Sequence, residues 1–205
     1  LEKRAVSTIQ GLNTAAVFAP DSENILLTQS RGESPNLYLI SRRDGTLIRR
    51  LTNFKAGIDT SPSFSPTGDQ ITFISNRAGY PQVYLMNSDG GNIRRISTRG
   101  NCDSPAWSPR GDRIVFSQFS PLEGKYDIYV YEISVGRVSR LTFPGDGNNE
   151  NPTWSPDGRY IAFISTRNGK RELFRMFADG SSPARIADIP GRCVTPHWSP
   201  RIPED

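Results

Sequence analysis

The chain has 205 residues and a formal net charge of +4 at pH 7, with 25 lysines and arginines against 21 aspartates and glutamates. Only 35% of the residues are apolar, while 18 are glycine and 16 are proline, a balance typical of short half-buried strands joined by tight turns. No apolar run is long enough for a membrane-spanning helix. The basic residues are spread along the chain without a nucleic-acid-binding motif, so a nucleic-acid partner is not predicted.

A short phrase, in which an aromatic residue precedes Ser-Pro or Ala-Pro, recurs five times along the chain. Its aromatic residues lie 46, 43, 47 and 44 residues apart, and they are Phe18, Phe64, Trp107, Trp154 and Trp198. A period in the forties with strand-like content between copies indicates a β-propeller. We expect these aromatics to be largely buried, stacking where neighbouring blades pack face to face.

The second repeat shows the order of elements most clearly. A short strand enters a Pro/Gly turn, and a β-branched and aromatic strand follows. After a loop comes a third strand, an Asp-Gly-Gly turn whose glycines allow positive φ, and a fourth strand with outward charges, as suits an edge. The four strands are predicted at residues 60–64, 70–75, 83–86 and 93–97.

The other repeats follow the same order, so the predicted fold is all-β, a β-propeller of four-stranded antiparallel blades forming one region over residues 1–205. A β-sandwich with accidental similarity is the alternative, but five in-register phrases disfavour it. Two leftover strands are predicted at residues 3–9 and 193–199. The four complete blades are predicted at about residues 11–55, 56–99, 100–146 and 147–190.

Two segments carry a resemblance to a known family. Pro-Thr-Trp-Ser-Pro-Asp-Gly at 152–158 and Tyr-Leu-Met-Asn-Ser-Asp-Gly-Gly at 84–91 resemble the PD40 repeat of TolB-type propellers, and the resemblance covers residues 11 to 200. It implies a periplasmic location and a place in the Tol-Pal cell-envelope system. Two departures stand out: only four complete units are present, without room for the family's smaller α/β domain, and the first copy lacks the tryptophan and the glycine.

The leftover strands raise the question of closure, because an open propeller presents unpaired strand edges. The chain is part of a larger propeller, or the leftover strands pair in a reduced fifth blade, or two chains complete each other. We favour the first arrangement, and the resemblance implies a ring of six blades.

Catalytic motifs are missing from the sequence. It has no Gly-x-Ser-x-Gly, no His-Glu-x-x-His and no phosphate-binding glycine loop. The single histidine, His197, directly precedes Trp198 and has no obvious nucleophile beside it, which favours a structural or channel-lining role. The chain is therefore predicted not to be an enzyme, with no catalytic residues and no cofactor.

Two further patterns have ordinary interpretations. Asp146, Asn148 and Glu150 place oxygen ligands at i, i+2 and i+4, but the rest of a calcium loop is missing, so no metal site is predicted. Cys102 and Cys193 occupy equivalent places two blades apart, too far for a disulfide, and are predicted to be free, partly buried thiols.

Polar residues precede each repeated aromatic, in loops that join the outer strand of one blade to the inner strand of the next. These loops ring one mouth of the channel, on the same face as the loops between the second and third strands. Such residues also cap turns everywhere, and that interpretation stays open. The predicted partner-binding residues are Asp59, Thr60, Arg77, Asp103, Glu150, Asn151, Arg167 and His197.

Two functions remain as hypotheses. The first is a non-enzymatic scaffold that binds a protein or peptide partner at the channel mouth; the resemblance implies a partner like the lipoprotein Pal. The alternative is an accessory propeller that gates substrate for a serine peptidase domain outside this chain. A repeat fold by itself does not decide between them, since propellers host many functions.

Overall fold

In a computed structural model, residues 6–7, 9–98, 100–143, 145–186 and 193–199 are described. These residues form sixteen strands and no helix. The strands are β1 (Asn13–Phe18), β2 (Asn24–Gln29), β3 (Asn36–Ser41), β4 (Leu47–Arg50), β5 (Asp59–Phe64), β6 (Gln70–Ser75), β7 (Gln82–Asn87), β8 (Arg94–Arg95), β9 (Cys102–Trp107), β10 (Arg113–Ser120), β11 (Lys125–Glu132), β12 (Arg137–Arg140), β13 (Asn149–Trp154), β14 (Tyr160–Ser165), β15 (Glu172–Phe177) and β16 (Ala184–Arg185).

Every four consecutive strands form one antiparallel meander, so the strands make four separate sheets. We call these blade 1 (β1–β4), blade 2 (β5–β8), blade 3 (β9–β12) and blade 4 (β13–β16). The first strands of successive blades, β1, β5, β9 and β13, contact one another in that order and lie innermost. The predicted all-β class and the four-stranded blades are confirmed.

Apolar clusters hold neighbouring blades together. Strand residues alternate between the two faces of a sheet, so each second strand sends side chains to both neighbours. Phe73, Phe116 and Phe163 occupy equivalent places in β6, β10 and β14, are fully buried, and pack toward the preceding blade. The core of this molecule is therefore a series of inter-blade layers.

The repeated aromatics are buried only where a preceding blade covers them. Trp107 is 8% exposed and Trp154 is 6% exposed, and each belongs to an inter-blade cluster. Phe64 is half-buried against blade 1, and Trp198 is half-buried against blade 4. For Phe18 the prediction is wrong: it is 62% exposed, because no inner strand precedes blade 1 among the described residues.

The serine of the repeated phrase closes the turn after the inner strand. In blade 4 the Ser155 N–H donates to the carbonyl of Tyr160 (2.9 Å), and its side-chain oxygen accepts from the Tyr160 N–H (2.9 Å). Ser65 forms the same two contacts with Gln70. The phrase therefore combines an aromatic that packs between blades with a serine that fixes the hairpin beneath it.

A buried hydroxyl fastens the end of the outer strand in three blades. Thr52, Ser97 and Thr142 each accept a hydrogen bond from a backbone N–H of the third strand and donate to a buried side chain next to it. These buried polar groups are satisfied within their own blade. The hydrogen bonds of this hydroxyl fix the position at which the chain leaves the outer strand and enters the loop at the channel mouth.

A glycine in the turn between the third and fourth strands allows close packing on the preceding blade. At Gly90 an added Cβ would meet the Leu51 carbonyl oxygen at 2.6 Å, and at Gly180 it would meet that of Leu141 at 2.9 Å. Both glycines have φ near +90°. Space and backbone conformation thus both require glycine here.

We expect Gly90→Ala to lower the free energy of unfolding by about 2–3 kcal/mol, since it adds a clash with Leu51 to left-handed strain. Gly79→Ala is the matched control, because Gly79 has φ +97° but nothing within 4 Å of an added Cβ. Urea unfolding of both variants measures the difference. Equal losses would contradict a role for the inter-blade contact.

The structure describes the two predicted flanking strands only in part. Residues 193–199 form no strand, although Trp198 Nε1 donates to the Thr153 carbonyl of β13 at 3.3 Å. An inner strand pairs with the second strand of its own blade, and no such strand follows among the described residues. Of residues 3–9, only 6, 7 and 9 are described, and none of these is in a strand.

Candidate functional site

All four inner strands carry a bulge at the same place. One residue in each bulge has a left-handed conformation, with φ between 50° and 54°, and the strand register shifts there. A bulge bends its strand and redirects the neighbouring side chains, and strained residues of this kind concentrate at functional sites. The four residues are Ala15, Ser61, Ser104 and Asn151.

The bulged segments line an open channel between the blades. Its wall encloses a cavity of about 270 Å³ and is built mainly of small side chains and prolines. A second cavity, of about 390 Å³, continues toward Phe64, Trp107 and Trp154 and shares part of this wall. The segments around the first cavity are residues 15–17, 61–63, 104–106, 151–153 and 195–197.

Two of the predicted site residues, Asp59 and Arg77, bind each other. Asp59 is fully buried, and both of its carboxylate oxygens accept from Arg77 Nη2 at 3.0 Å. Arg77 also donates to Ser75 Oγ and stacks on the ring of Tyr84 at 5.0 Å. Burying a carboxylate requires such a partner. Asp59 is therefore not available to a partner protein, and Arg77 has its charge compensated within blade 2.

Arg167 occupies the equivalent place in blade 4. Its Nε donates to Ser165 Oγ at 3.0 Å, and Nη2 lies 3.4 Å from the Asn149 side-chain oxygen. Its guanidinium stacks on Phe174 at 4.6 Å from the ring centre and lies 3.7 Å from Asp146. Like Arg77, it orders the loop between the second and third strands of its own blade.

The other predicted residues do face the channel mouth. Thr60 is half-buried and accepts from the hydroxyl of Thr28, and Asn151 donates from its side chain to Ser104 Oγ at 3.0 Å. His197 is exposed and lines both cavities of the channel. These side chains belong to three different blade junctions and surround one opening.

A third cavity lies at the mouth between blades 3 and 4. It measures about 170 Å³ and brings together three of the predicted residues, Asp103, Glu150 and Asn151, with further polar side chains. Glu150 is paired with Arg171, whose Nη1 lies 2.5 Å from its carboxylate, whereas Asp103 accepts one hydrogen bond, from the Ser104 N–H at 2.7 Å. We call this group the acidic cavity; its lining is Asp103, Ser117, Tyr126, Glu150 and Asn151.

The electrostatics of the acidic cavity are unlike those of other surface carboxylates in this protein. Its concave surroundings raise the pKa of Asp103, and the neighbouring charge of Glu150 raises it further. Burial also raises the pKa of Tyr126, with added contributions from the charges of Asp103 and Glu150. A raised pKa in a cleft is a physical sign of a functional site.

Sequence reasoning missed Tyr126 and Ser117. A signal was present: β10 and β11 have eight residues each, against six in the second and third strands of the other blades, and their hairpin lacks the loop arginine. The longer hairpin pairs Phe119 with Tyr126, whose rings lie 5.2 Å apart, and places Tyr126 at the cavity. Comparison of hairpin lengths between repeats would have identified this wall of the acidic cavity.

The structure provides little for metal or redox chemistry in the part of the chain that it describes. Within those residues no group of three or more His, Cys, Asp or Glu side chains could hold a metal ion. Asp146, from the loop considered for calcium, accepts the Phe143 N–H. Both cysteines are free, and burial raises the pKa of the Cys102 thiol to about 11. The described residues contain no helix that could span a membrane.

Solved structures with the same architecture include two TolB proteins. A protein of Agrobacterium tumefaciens provisionally assigned as TolB superposes with a TM-score of 0.85 at 30% identity, covering 96% of this chain and 69% of that one. TolB of Acinetobacter baumannii superposes with a TM-score of 0.75 at 26% identity, covering 88% of this chain and 44% of its own.

Curated relatives match over shorter stretches. The Tol-Pal system protein TolB of Geobacter sulfurreducens is 43% identical over 79 residues, which is 38% of this chain and 18% of that protein. The uncharacterized peptidase YuxL of Bacillus subtilis is 36% identical over 101 residues, 47% of this chain and 15% of its own length. The matched stretches thus cover less than a fifth of the length of either relative.

A family model describes nearly the whole chain. The model PD40, the TolB beta propeller domain, matches residues 1–121 and 98–203. The resemblance found in the repeats and the four antiparallel blades agree with this match. The chain belongs to the family of TolB beta propeller domains.

Proposed function

We propose that this chain is a non-enzymatic propeller scaffold that binds a protein partner at the channel mouth, as part of the Tol-Pal system of the periplasm. The observation that carries the proposal is the set of exposed and half-buried polar groups around one opening, held by bulged inner strands. Family membership and the relatives named TolB support it. The partner expected on these grounds is a Pal-like lipoprotein.

The proposed contact surface is smaller than the one predicted from the sequence. Asp59, Arg77 and Arg167 serve their own blades. Apart from His197, the remaining groups are carried by inner strands, so a partner that binds them would not have to order a loop first. The proposed surface consists of Thr60, Asp103, Glu150, Asn151 and His197.

The geometry supports binding over catalysis. Among the described residues, no hydrogen bond joins His197 to a serine or a carboxylate, which a Ser-His-Asp arrangement would require. The channel wall beside it is built mainly of small side chains and prolines, such as Pro152, Thr153 and Pro196, and its lining contains no acid, lysine or arginine. This arrangement favours a scaffold that presents polar groups to a folded or extended partner.

We expect Asp103→Ala to weaken binding of Pal by about 2–5 kcal/mol if its carboxylate pairs with a buried group of Pal. Calorimetric titration of the protein with Pal measures this. Asp89→Ala is the control: Asp89 is exposed in the turn before Gly90, on the opposite face of the propeller. Unchanged binding by Asp103→Ala, together with lost binding by Asp89→Ala, would place the contact on the opposite face.

A second function is an accessory propeller that gates substrate for a peptidase domain carried elsewhere in a longer protein. The match to the uncharacterized peptidase YuxL is the observation in its favour. A hydrolase domain encoded in the same open reading frame would support this alternative. Binding of Pal by the purified propeller would contradict it.

A further inference from the structure

We propose that the acidic cavity between blades 3 and 4 receives a basic side chain, an arginine or lysine, from the polypeptide that binds the channel mouth. This inference deepens the proposed function and rests on it. The occupant is a single cationic group on a protein chain, and the shape, charge and lining of the cavity define it.

The charge of Asp103 has no counterion within the described part of the molecule. Its carboxylate accepts the Ser104 N–H, and no arginine or lysine lies within ion-pair distance among the described residues. Glu150 across the cavity is paired with Arg171, so the charge left without a partner is that of Asp103. A carboxylate beside a concave wall attracts a cation more strongly than a fully solvated acid does, because the wall reduces solvent screening.

The protein already places one guanidinium at this site. Arg171 pairs with Glu150 and donates from Nε to the Cys193 carbonyl at 3.4 Å. The charge of Arg171 is therefore compensated by Glu150 on one side of the cavity. This pair shows that carboxylates here accept planar cations. A second basic group entering from the mouth would meet Asp103.

The hairpin loop of blade 3 lacks an arginine that the other three blades have. Blades 1, 2 and 4 have a loop arginine that stacks on an aromatic ring of its own third strand, at 4.6 to 5.0 Å from the ring centre. The longer β10–β11 hairpin has no arginine in its loop. The three arginines are Arg31, Arg77 and Arg167.

The wall of the cavity also suits an organic cation. Tyr126 offers an aromatic side chain, held by its contact with Phe119. A guanidinium or ammonium group is attracted to the face of an aromatic ring. Ser117 is 1% exposed; its oxygen accepts the Asn151 N–H at 3.1 Å, and no acceptor for its proton is found among the described residues. That proton can be donated to a carbonyl of the incoming chain.

A metal ion fits the cavity less well. Two carboxylates are present, and one of them is occupied by Arg171, so too few oxygen ligands remain for calcium or magnesium. The volume of about 170 Å³ accommodates the end of one side chain and excludes a folded element. These constraints together select the arginine or lysine of a peptide.

The test uses the tripeptide acetyl-Gly-Arg-Gly-amide and its uncharged analogue with citrulline in place of arginine. Each is titrated into the ¹⁵N-labelled protein and followed by NMR. We expect the arginine peptide to shift the amide signals of Asp103, Ser117 and Tyr126 and to bind at least fivefold more tightly than the citrulline peptide. Equal affinity for both peptides would overturn the inference.

Variants test which side chains recognise the charge. Asp103→Asn should reduce the affinity for the arginine peptide at least fivefold, and Tyr126→Leu should also reduce it, while Asp89→Asn should leave it unchanged. Melting temperatures of the variants report whether the fold is kept. Unchanged affinity in a folded Asp103→Asn variant would overturn the inference, as would tighter binding of free spermidine than of the peptide.

The pH dependence has a defined sign. Protonation removes the charge of Asp103, so affinity for the arginine peptide should fall as pH is lowered. Because the pKa of Asp103 is raised, the fall should begin at a higher pH than for an ordinary aspartate; Glu150, Arg171 and Tyr126 are the other titratable groups facing the cavity. Affinity that stays constant with pH in the range where Asp103 titrates would contradict the inference.

Titration with Pal separates this inference from the proposed function. Pal binding that survives Asp103→Asn, with no binding of the arginine peptide, would overturn the cavity inference and leave the proposed function standing. Charge-dependent peptide binding in a protein that does not bind Pal would support the cavity and contradict the proposed partner.

Discussion

Trp154→Ala should lower the free energy of unfolding by about 3–5 kcal/mol, the range for truncating a buried large aromatic side chain. The indole is 6% exposed and packs in the layer between blades 3 and 4. Its Nε1 donates to the Ala106 carbonyl at 3.2 Å, and the guanidinium of Arg113 lies 5.4 Å from its ring centre. Removing the indole creates a cavity and leaves the Ala106 carbonyl without this donor.

Phe18 provides a control at the same position of the repeat. Because its ring is 62% exposed, Phe18→Ala should cost less than about 1 kcal/mol. Urea unfolding of both variants can be followed by circular dichroism. Tryptophan fluorescence is a second signal for Phe18→Ala, because this variant keeps Trp154. Similar losses in the two proteins would mean that the aromatic stabilises its own hairpin rather than the inter-blade layer.

The contrast between Phe18 and Trp154 also marks what the sequence could predict. Local signals, such as the Ser-Pro turn and the β-branched and aromatic residues of β6 and β14, determine the strands of a blade, so the class of fold followed from the repeat. Burial of an aromatic depends on what lies against it. The repeated phrase is nearly the same around Phe18, but its environment is set by a neighbouring blade that the phrase does not describe.

The site was harder to predict for a related reason. Polar residues before an aromatic identify a loop, but not the direction of each side chain. Asp59 lies five residues before its aromatic and points into the blade, whereas Asp103 lies four residues before its own and faces the mouth, because successive strand residues alternate. An offset of one position thus separates an internal ion pair from a candidate contact residue.

Arg77→Ala should be as damaging as the loss of a buried tryptophan, at about 3–5 kcal/mol, because it leaves a buried carboxylate without its counterion. Asp59 is fully buried, and Arg77 Nη2 donates to both of its carboxylate oxygens. The carboxylate lies at the junction of blades 1 and 2, where the Asp59 N–H donates to the Pro35 carbonyl at 2.9 Å, so the loss of its counterion also affects the packing of the two blades. Chemical denaturation measures the loss.

Blade 4 has a neutral residue at the position that corresponds to Asp59 of blade 2. There Asn149 occupies the place of Asp59 beside Arg167, and the serine contact of the arginine is the same. In an Asp59→Asn background, Arg77→Ala should therefore cost only about 1–2 kcal/mol, mainly the lost packing on Tyr84. The double-mutant cycle should give a coupling of roughly 2–3 kcal/mol. Additive losses would show that Arg77 stabilises its loop by packing alone, and that the buried charge of Asp59 is compensated by other groups.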